Sequence, residues 1–562
     1  MRAIRSMLAL SAVVVALVPA LSAANEDTEA AAKARTATPI KHLVVIFQEN
    51  ISFDHYFGTY PVAANVKGEP PFTAKPDTPT VNGLDEALRT TNPNLGNPQR
   101  MDRSQALTCD QGHDYTAEQL AFDHGLMDKF VENTGNGPTL GECLIPKQAP
   151  TPGNFAVLDY YDGNTVTALW NYAQRFAMSD NSYGTGFGPS TPGAFEVVAG
   201  NSFGATCGAD FPLKSSACTG FPAPGGPAVA QGPGTVIEDP DPLFDACANP
   251  SASDTKAAMG GRNVGDLLNG KGVTWGWFQG GFKPTSHTPM GTPVCDSRHY
   301  NIGAGTQNDG QPCTLATAPA NLKPFCQVDY SPHHQPFQYW PQTANTQHLP
   351  PTSVAAIGHQ DQANHQYDLT DFWAAADHGN LPSVSYLKAS RFQDGHPGNS
   401  DPLDEQTFLV NTINHLQRLD SWESTAVVIL YDDSDGWYDH QMSPILNQSQ
   451  TSLDALSGAG LCGSNAARVP NGQQARCGLG PRQPLLMISP FARSNAVDHS
   501  LTDQSSVVRF IEDNWKLGRI GGGSFDARAG SLNGLFDFNR PHSDRLILDP
   551  TTGLRVGGHQ DD

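Results

Sequence analysis

The 562-residue chain is short of positive charge: Lys and Arg number 34 against 56 Asp and Glu, a formal net charge of −22. A surface this acidic repels nucleic-acid phosphates and anionic membranes at long range, which excludes a nucleic-acid partner. Long hydrophobic runs are missing beyond the first two dozen residues. No later stretch approaches the 18 or so apolar residues that a membrane span needs. CxxC pairs are missing too, although there are ten cysteines, which sets aside zinc-knuckle and thioredoxin-like readings. There is no internal repeat.

What is present begins with an export signal. Arg2 and Arg5 precede the apolar run from Met7 to Leu21, and Ser22, Ala23 and Ala24 close it with small residues. Residues 1–24 therefore read as a secretory signal peptide, and 25–37 as a flexible leader. Export to a periplasm or to the outside suits an even number of cysteines held as disulfides. Neighbours in sequence suggest Cys207–Cys218, Cys313–Cys326 and Cys462–Cys477, but sequence does not determine connectivity. One domain is expected from 38 to 520, with loop-rich, disulfide-containing insertions at about 202–330 and 441–480. A loop-rich tail, 521–562, packs on it.

The organising stretch is Leu43 to Phe47, a β-branched apolar run followed by Glu49 and Asn50. It is long enough for one buried strand and too short for a globular helix. In open α/β sheets, ligands bind outside the carboxyl ends of strands. A carboxylate and an amide oxygen there are hard ligands for a divalent cation. They could equally open a turn, with Asp54 capping a helix. A second strand of the same design decides between the two: Ala426 to Tyr431, followed by Asp432, Asp433 and Asp435. Acids packed side by side on a buried strand repel unless a cation or proton sits among them. A surface loop of acids is possible, but acids packed directly onto a buried strand make a metal site the better reading.

Between these strands lie further polar motifs. His113 precedes a helical pattern from Ala117 to Phe130, with Thr116 as its expected N-cap. Gly188-Pro-Ser-Thr-Pro192 opens another helix, where Ser190 meets a positive dipole field and free backbone N–H groups. That suits a phosphate, although Ser190 could be an N-cap and nothing more. His333 and His334 precede Gln335-Pro336; an extended backbone there predicts diverging side chains. Asp394-Gly-His396-Pro397 follows the strand 383–387, and a long helix is expected from Asp404 to Leu419. Strand 483–489 and helix 505–515 complete the pattern.

Taken together, these segments resemble the bacterial phosphoesterase family of secreted acid phosphatases and phospholipases C. The resemblance is carried, in order, by Glu49-Asn50-x-Ser52-Phe53-Asp54-His55-Tyr56-Phe57-Gly58, His113 with its helix, Gly188-Pro189-Ser190-x-Pro192, Asp394-Gly-His396-Pro397, and Tyr431-Asp432-Asp433-x-Asp435-Gly-x-Tyr438-Asp439-His440. It covers about residues 38–520. It implies an alkaline-phosphatase-like α/β fold, a central mostly parallel sheet sandwiched by helices. It also implies that Ser190 is the nucleophile, that Glu49, Asn50, Asp432 and Asp433 ligate one divalent metal ion, and that His113, His333, His334 and His396 line the phosphate site. The His-His-x-Pro-Phe segment resembles the acid phosphatase branch. Two positions depart: Ile51 stands where the family usually has Arg, and Gly193 where the phospholipases usually have Asn.

The expected activity is a metal-dependent acid phosphatase that hydrolyses small-molecule phosphate monoesters through a phosphoserine intermediate. His396 or His113 is the expected general acid, and a requirement for its protonated form implies an optimum below neutral pH. A local cation would have to overcome the acidic surface for such a substrate to bind. Two alternatives remain: a phospholipase C acting on phosphocholine lipids without a membrane span, and an inactive binding protein on the same fold. Phospholipase relatives usually carry C-terminal β-domains, and the early end of this chain favours the monoesterase.

Overall fold

The computed structural model describes residues 36–135, 155–206, 234–248, 256–301, 307–450, 453–462, 476–542 and 545–557. Its centre is an eight-stranded sheet. In chain order the strands are β1 (His42–Gln48), β2 (Ala177–Ser179), β3 (Trp275–Gln279), β4 (Gln366–Asp368), β5 (Val384–Lys388), β6 (Thr425–Tyr431), β7 (Leu485–Ile488) and β8 (Ala496–Asp498). Across the sheet they run β4-β3-β5-β1-β6-β7-β2-β8. β4, β3, β5, β1 and β6 pair in parallel. β7 runs antiparallel to both β6 and β2, and β8 is parallel to β2. The sheet is thus mostly parallel, as expected.

β1 and β6 lie at its centre, and their apolar residues Leu43–Phe47 and Ala426–Leu430 are buried. Strands buried on both faces read as continuous apolar runs, which is why these two stood out in the sequence. Each fully buried Val, Leu, Ile or Phe contributes about 1.5–3 kcal/mol. Within the expected insertion 202–330 lies β3, an interior strand carrying the buried Trp275 and Trp277.

The helices that matter below are α1 (Phe53–Phe57), α2 (Tyr115–Phe122), α3 (Thr167–Arg175), α4 (Ser190–Ala199), α5 (Leu369–Asp377), α6 (Pro402–Leu416) and α7 (Ser505–Trp515). Register shows that they cover both faces. Val45 pairs with Tyr386, whose hydroxyl donates to Val197 O of α4. Gln48 pairs with Tyr431, whose hydroxyl donates to Glu405 of α6. Val45 and Gln48 are three residues apart on one strand and face opposite sides, so α4 and α6 lie on opposite faces. Residues 546–550 run along α6, held by Asn414 Nδ2 donating to Leu548 O at 2.7 Å and Gln417 Nε2 donating to Leu546 O at 2.8 Å.

Several local expectations are corrected. The helix expected from Ala117 to Phe130 ends at Phe122, because Asp123, His124 and Gly125 take left-handed backbone conformations. Its apolar spacing persists without a helix, since Met127 and Phe130 still join Phe122 in a second, smaller core. Thr116 is not the cap. Asp114 takes that place, and the Thr116 hydroxyl donates to Leu453 O. Ser52, not Asp54, caps α1. α6 starts two residues earlier than expected, since Asp401 accepts from Leu403 N and Asp404 N with Pro402 in the first turn.

Disulfides join Cys313–Cys326 and Cys462–Cys477, as expected, and also Cys247–Cys295, 48 residues apart. Cys207 and Cys218 lie outside the described residues. Among the described residues no helix is long and apolar enough to cross a membrane.

Candidate active site

The register of three neighbouring strands sets out the site. Gln48 pairs with Tyr431, so the next residues, Glu49 and Asp432, stand side by side beyond the strand ends. Ile46 pairs with Leu387, which puts Lys388 level with Phe47, and its ammonium lies 4.9 Å from the centre of that ring. By alternation Phe47, Glu49 and Lys388 share the face of Val45 and Tyr386, which is the face that α4 covers. Asn50 adopts φ +49, a left-handed conformation that Asn tolerates better than most residues. Its backbone N–H points to Asp432 Oδ1 at 3.4 Å. Ile51 N donates to Asp433 O at 2.9 Å, which joins the two strand-end loops.

Ser190 arrives from the sequence side opposite these tips. Pro189 occupies the N-cap position of α4 without a side-chain bond, and Ser190 is the first helical residue. Its hydroxyl therefore does not cap the helix. It lies 3.0 Å from Asp433 Oδ2 and 3.3 Å from Glu49 Oε2, and is 2 % exposed. Gly193, one turn on, explains how the helix comes so close: a Cβ there would sit 2.1 Å from Asp432 O. The missing side chain at 193 is thus a condition of this packing.

The histidines arrive from three directions. His334 Nδ1 is 3.0 Å from Glu49 Oε1. His333 and His334 do not diverge on an extended backbone. They lie on the short 3-10 turn Pro332–His334, with rings 4.2 Å apart and nearly perpendicular. The restriction before proline falls on Ser331 and Gln335, both non-helical, and leaves the histidines free to turn. His113 Nδ1 is 2.8 Å from Gln111 O, 3.4 Å from Asp435 Oδ1 and 3.6 Å from Asp110 Oδ1. The His396 ring lies 6.1 Å from that of His113, and its Nδ1 faces Pro397 O at 2.7 Å.

Electrostatics follows from this crowding. Burial and then Glu49 push Asp432 well above the ordinary carboxylate range, and burial pushes Asp433 up to about 6. Burial also opposes ionisation of Glu49, but His334 and Lys388 outweigh it and hold that carboxyl well below its usual value. Burial works against a proton on His113, yet Asp433, Asp435, Asp110 and Asp239 outweigh it and raise the imidazole well above 6.5. His333 is pushed down by burial.

Sequence reasoning missed Lys388. Its ammonium contacts Glu49 Oε1 and lies 3.4 Å from Asp432 Oδ2, fully inside the protein. The available signal was a lysine ending the otherwise apolar strand Val384-Ser-Tyr-Leu. A lysine in that place is buried with the strand and must find acids.

Among the described residues, four groups of side chains bring possible metal-ligating atoms within 4.8 Å of one another. Cys247, Cys295 and His348 include a disulfide and offer no thiolate. Asp54, Asp439 and His440 are already served by Arg482, which donates to Asp54 Oδ1 at 3.0 Å and to Asp439 Oδ2 at 3.1 Å. Glu49, His334 and Asp394 form a third group, and Asp110, His113, His396 and Asp435 a fourth. Beside the third group, both amide atoms of Asn50 are buried without a hydrogen-bond partner. An orphaned buried amide oxygen directly after Glu49 suits a hard divalent cation, so these residues fit such an ion, while Asp432 and Asp433 fall in none of the four groups.

The Asp54–His440–Arg482–Asp439 cluster ties the loops after β1 and β6 together. His440 Nδ1 lies 2.6 Å from Asp54 Oδ2. Burial opposes charging of both, but Asp54 holds the His440 imidazole above 6.5, and His440 with Arg482 holds Asp54 below 3.8. The His440 contribution to stability is complete below 6.5 and is lost as pH rises through the raised folded value. The Asp54 contribution is complete above 3.8 and is lost as pH falls through the depressed one. Both are present between 3.8 and 6.5. His440→Gln should therefore lower the melting temperature most in that window, by about 2 °C or more, with the gap closing at alkaline pH. Thermal melts of both proteins across pH check this, and a gap independent of pH would contradict it.

Comparison with known proteins places the chain in a family. The phosphoesterase family matches residues 40–518, and the chain belongs to that family. It is 27% identical over 177 residues to a non-hemolytic phospholipase C of Pseudomonas aeruginosa, covering 31% of this chain and 26% of that protein. It is 30% identical over 191 residues to a non-hemolytic phospholipase C of Burkholderia pseudomallei, covering 31% and 25%. The matches thus span about a quarter of the length of these curated relatives. A solved structure described as a protein in the alkaline phosphatase superfamily, from Vibrio parahaemolyticus, covers 78% of this chain and 75% of its own at 13% identity, with a TM-score of 0.25. At that score the likeness carries no argument, and the fold description stands on the strand pairings.

Proposed function

We propose that the protein is an exported, metal-dependent phosphoric ester hydrolase that acts on small phosphate monoesters as an acid phosphatase, with Ser190 as nucleophile. The observation that carries this reading is the Ser190 hydroxyl held between Glu49 and Asp433, carboxylates from strands almost four hundred residues apart. Glu49, Asn50, Asp432 and Asp433 would hold one divalent ion. When bound, that ion supplies positive charge that lowers the pKa of a neighbouring hydroxyl and offsets charge on phosphoryl oxygens.

The residues themselves supply the remaining steps. The Ser190 proton passes toward Asp433 Oδ2, 3.0 Å away, as Oγ forms its bond to phosphorus. The P–O bond to the alcohol breaks, and the departing oxygen takes a proton from an imidazolium. His113 suits that role best, because the acids around it keep it protonated near neutral pH. His333, His334 and His396 lie around the same space and would donate hydrogen bonds to phosphoryl oxygens. Water then attacks phosphorus of the phosphoserine and gives a proton to the neutral His113; the P–Oγ bond breaks, Ser190 Oγ takes back a proton from Asp433, and phosphate is released. Disulfides and an N-terminal signal-like segment support an oxidising compartment as the place of action.

A second reading, phospholipase C, is favoured by the curated relatives. Turnover of an aryl phosphate compared with an aryl phosphocholine, alongside metal analysis of the purified protein, separates the two. Preference for the monoester supports the phosphatase, preference for the phosphocholine ester supports the lipase, and turnover of neither removes both.

A further inference from the structure

The side chain that binds the parts of this site together takes no part in the chemistry above. Glu118 lies on α2, 1 % exposed. Its Oε2 accepts from Gly188 N at 2.9 Å, and its Oε1 accepts from Ser434 Oγ at 2.7 Å. Gly188 stands two residues before Ser190 and adopts φ +115, a turn only glycine takes easily. Ser434 directly follows Asp433. One carboxyl group, which burial raises to about 8, thus grips both the turn that presents the hydroxyl and the loop that carries the acids.

The same helix starts two residues after His113, and it is itself anchored. Thr116 Oγ1 donates to Leu453 O at 2.9 Å, the Tyr115 hydroxyl donates to Asp454 Oδ1 at 2.6 Å, and Gln119 Oε1 accepts from Ala455 N at 3.0 Å. Glu118 therefore projects from a fixed platform.

The direct contact between the two segments, Ser190 Oγ to Asp433 Oδ2, must break when the oxygen bonds to phosphorus. It cannot hold its own turn in place through the reaction. The Gly188–Glu118–Ser434 brace runs beside it and involves no reacting atom. We propose that Glu118 is a positioning residue that fixes the Ser190 turn against the Asp432–Asp433 loop throughout phosphoryl transfer. The inference rests on the reading of Ser190 as the nucleophile.

The test compares Glu118→Ala, Glu118→Gln and Ser434→Ala with Ser190→Ala in an aryl phosphate assay, together with circular-dichroism melts. Displacing a reacting group by about 1 Å costs on the order of 100-fold, so Glu118→Ala should lose about that in kcat with KM changed less than about threefold. Glu118→Gln keeps an oxygen for Gly188 N–H and a polar partner for Ser434, and should stay within about threefold of wild type. Ser434→Ala removes one arm of the brace and should lose about tenfold in kcat. A purely space-filling role would lower melting temperature and leave the kcat of folded protein unchanged.

If Glu118→Ala or Ser434→Ala retains wild-type kcat while Ser190→Ala is inactive, the brace is overturned and the nucleophile stands. If Ser190→Ala itself retains turnover, the reading of the site falls and the brace with it. Should Glu118→Ala not fold, Ser434→Ala decides alone.

Discussion

Ser190→Ala should lower kcat on an aryl phosphate by about 10⁵-fold while leaving the fold intact, the scale seen when a nucleophile is removed from a preorganised site. The fold should survive because the hydroxyl bonds only to Glu49 and Asp433 and does not cap α4. Alanine fits the same helical position and relieves a polar group of burial among acids. The loss should fall on kcat, because the histidines and the acidic loop that would bind the phosphoryl group remain. Acid quenching of wild-type turnover should trap a phosphate adduct on Ser190, seen as a mass shift on the peptide that contains it, and the variant should show none. Turnover within tenfold of wild type, or an adduct on another residue, would remove Ser190 from the chemistry.

The second large effect concerns the cation. Glu49, Asp394, Asp432 and Asp433 crowd around two cationic groups, the Lys388 ammonium and the His113 imidazole, so acids outnumber cations at the site. Burial first, and the neighbouring Glu49 after it, raise Asp432, and burial raises Asp433 to about 6. Dialysis against a chelator should abolish turnover, and a divalent cation should restore it. Asn50→Gly keeps the left-handed backbone and removes only the orphaned amide. Loss of an outer-shell partner alone costs 10–100-fold in metal affinity, so loss of a direct ligand should cost at least about 100-fold. Elemental analysis and chelator competition measure this independently of activity. Full metal content in Asn50→Gly would take Asn50 out of the ligand set, and chelator-insensitive turnover would end the metal-dependent reading.

The sequence made some of this legible for a definite reason. β1 and β6 are buried on both faces, so each appears as an unbroken apolar run, and acids placed directly after such a run have no solvent to face. Ser190 stood out because Gly-Pro-Ser-Thr-Pro has the prolines and hydroxyls that favour a helix opening. The strands β5 and β7 were legible as strands. That β7 runs antiparallel to β6 was not, because strand direction depends on where the connecting chain returns.

Local signals misled where tertiary contacts could satisfy a group in another way. Thr116 looks like a cap, yet Leu453 O, more than three hundred residues away, takes its hydroxyl. His333 and His334 sit before a proline-containing turn, yet contact with Glu49 and with each other sets their rings. Glu118 looks like an ordinary surface acid in a helix. Nothing nearby in sequence predicts Gly188 and Ser434 as its partners.

By itself, the sequence determined the inventory: a core cut into apolar strands, acids at two strand ends, a helix-opening serine and several loop histidines. Patterns of burial and turn chemistry are local, and a linear chain displays them. Only the tertiary structure decided that the two acid-tipped strands are adjacent and in register, that Lys388 enters between their carboxylates, and that glycine at 193 lets α4 press Ser190 against them. These facts depend on strand order and close packing between segments hundreds of residues apart, which no local pattern records.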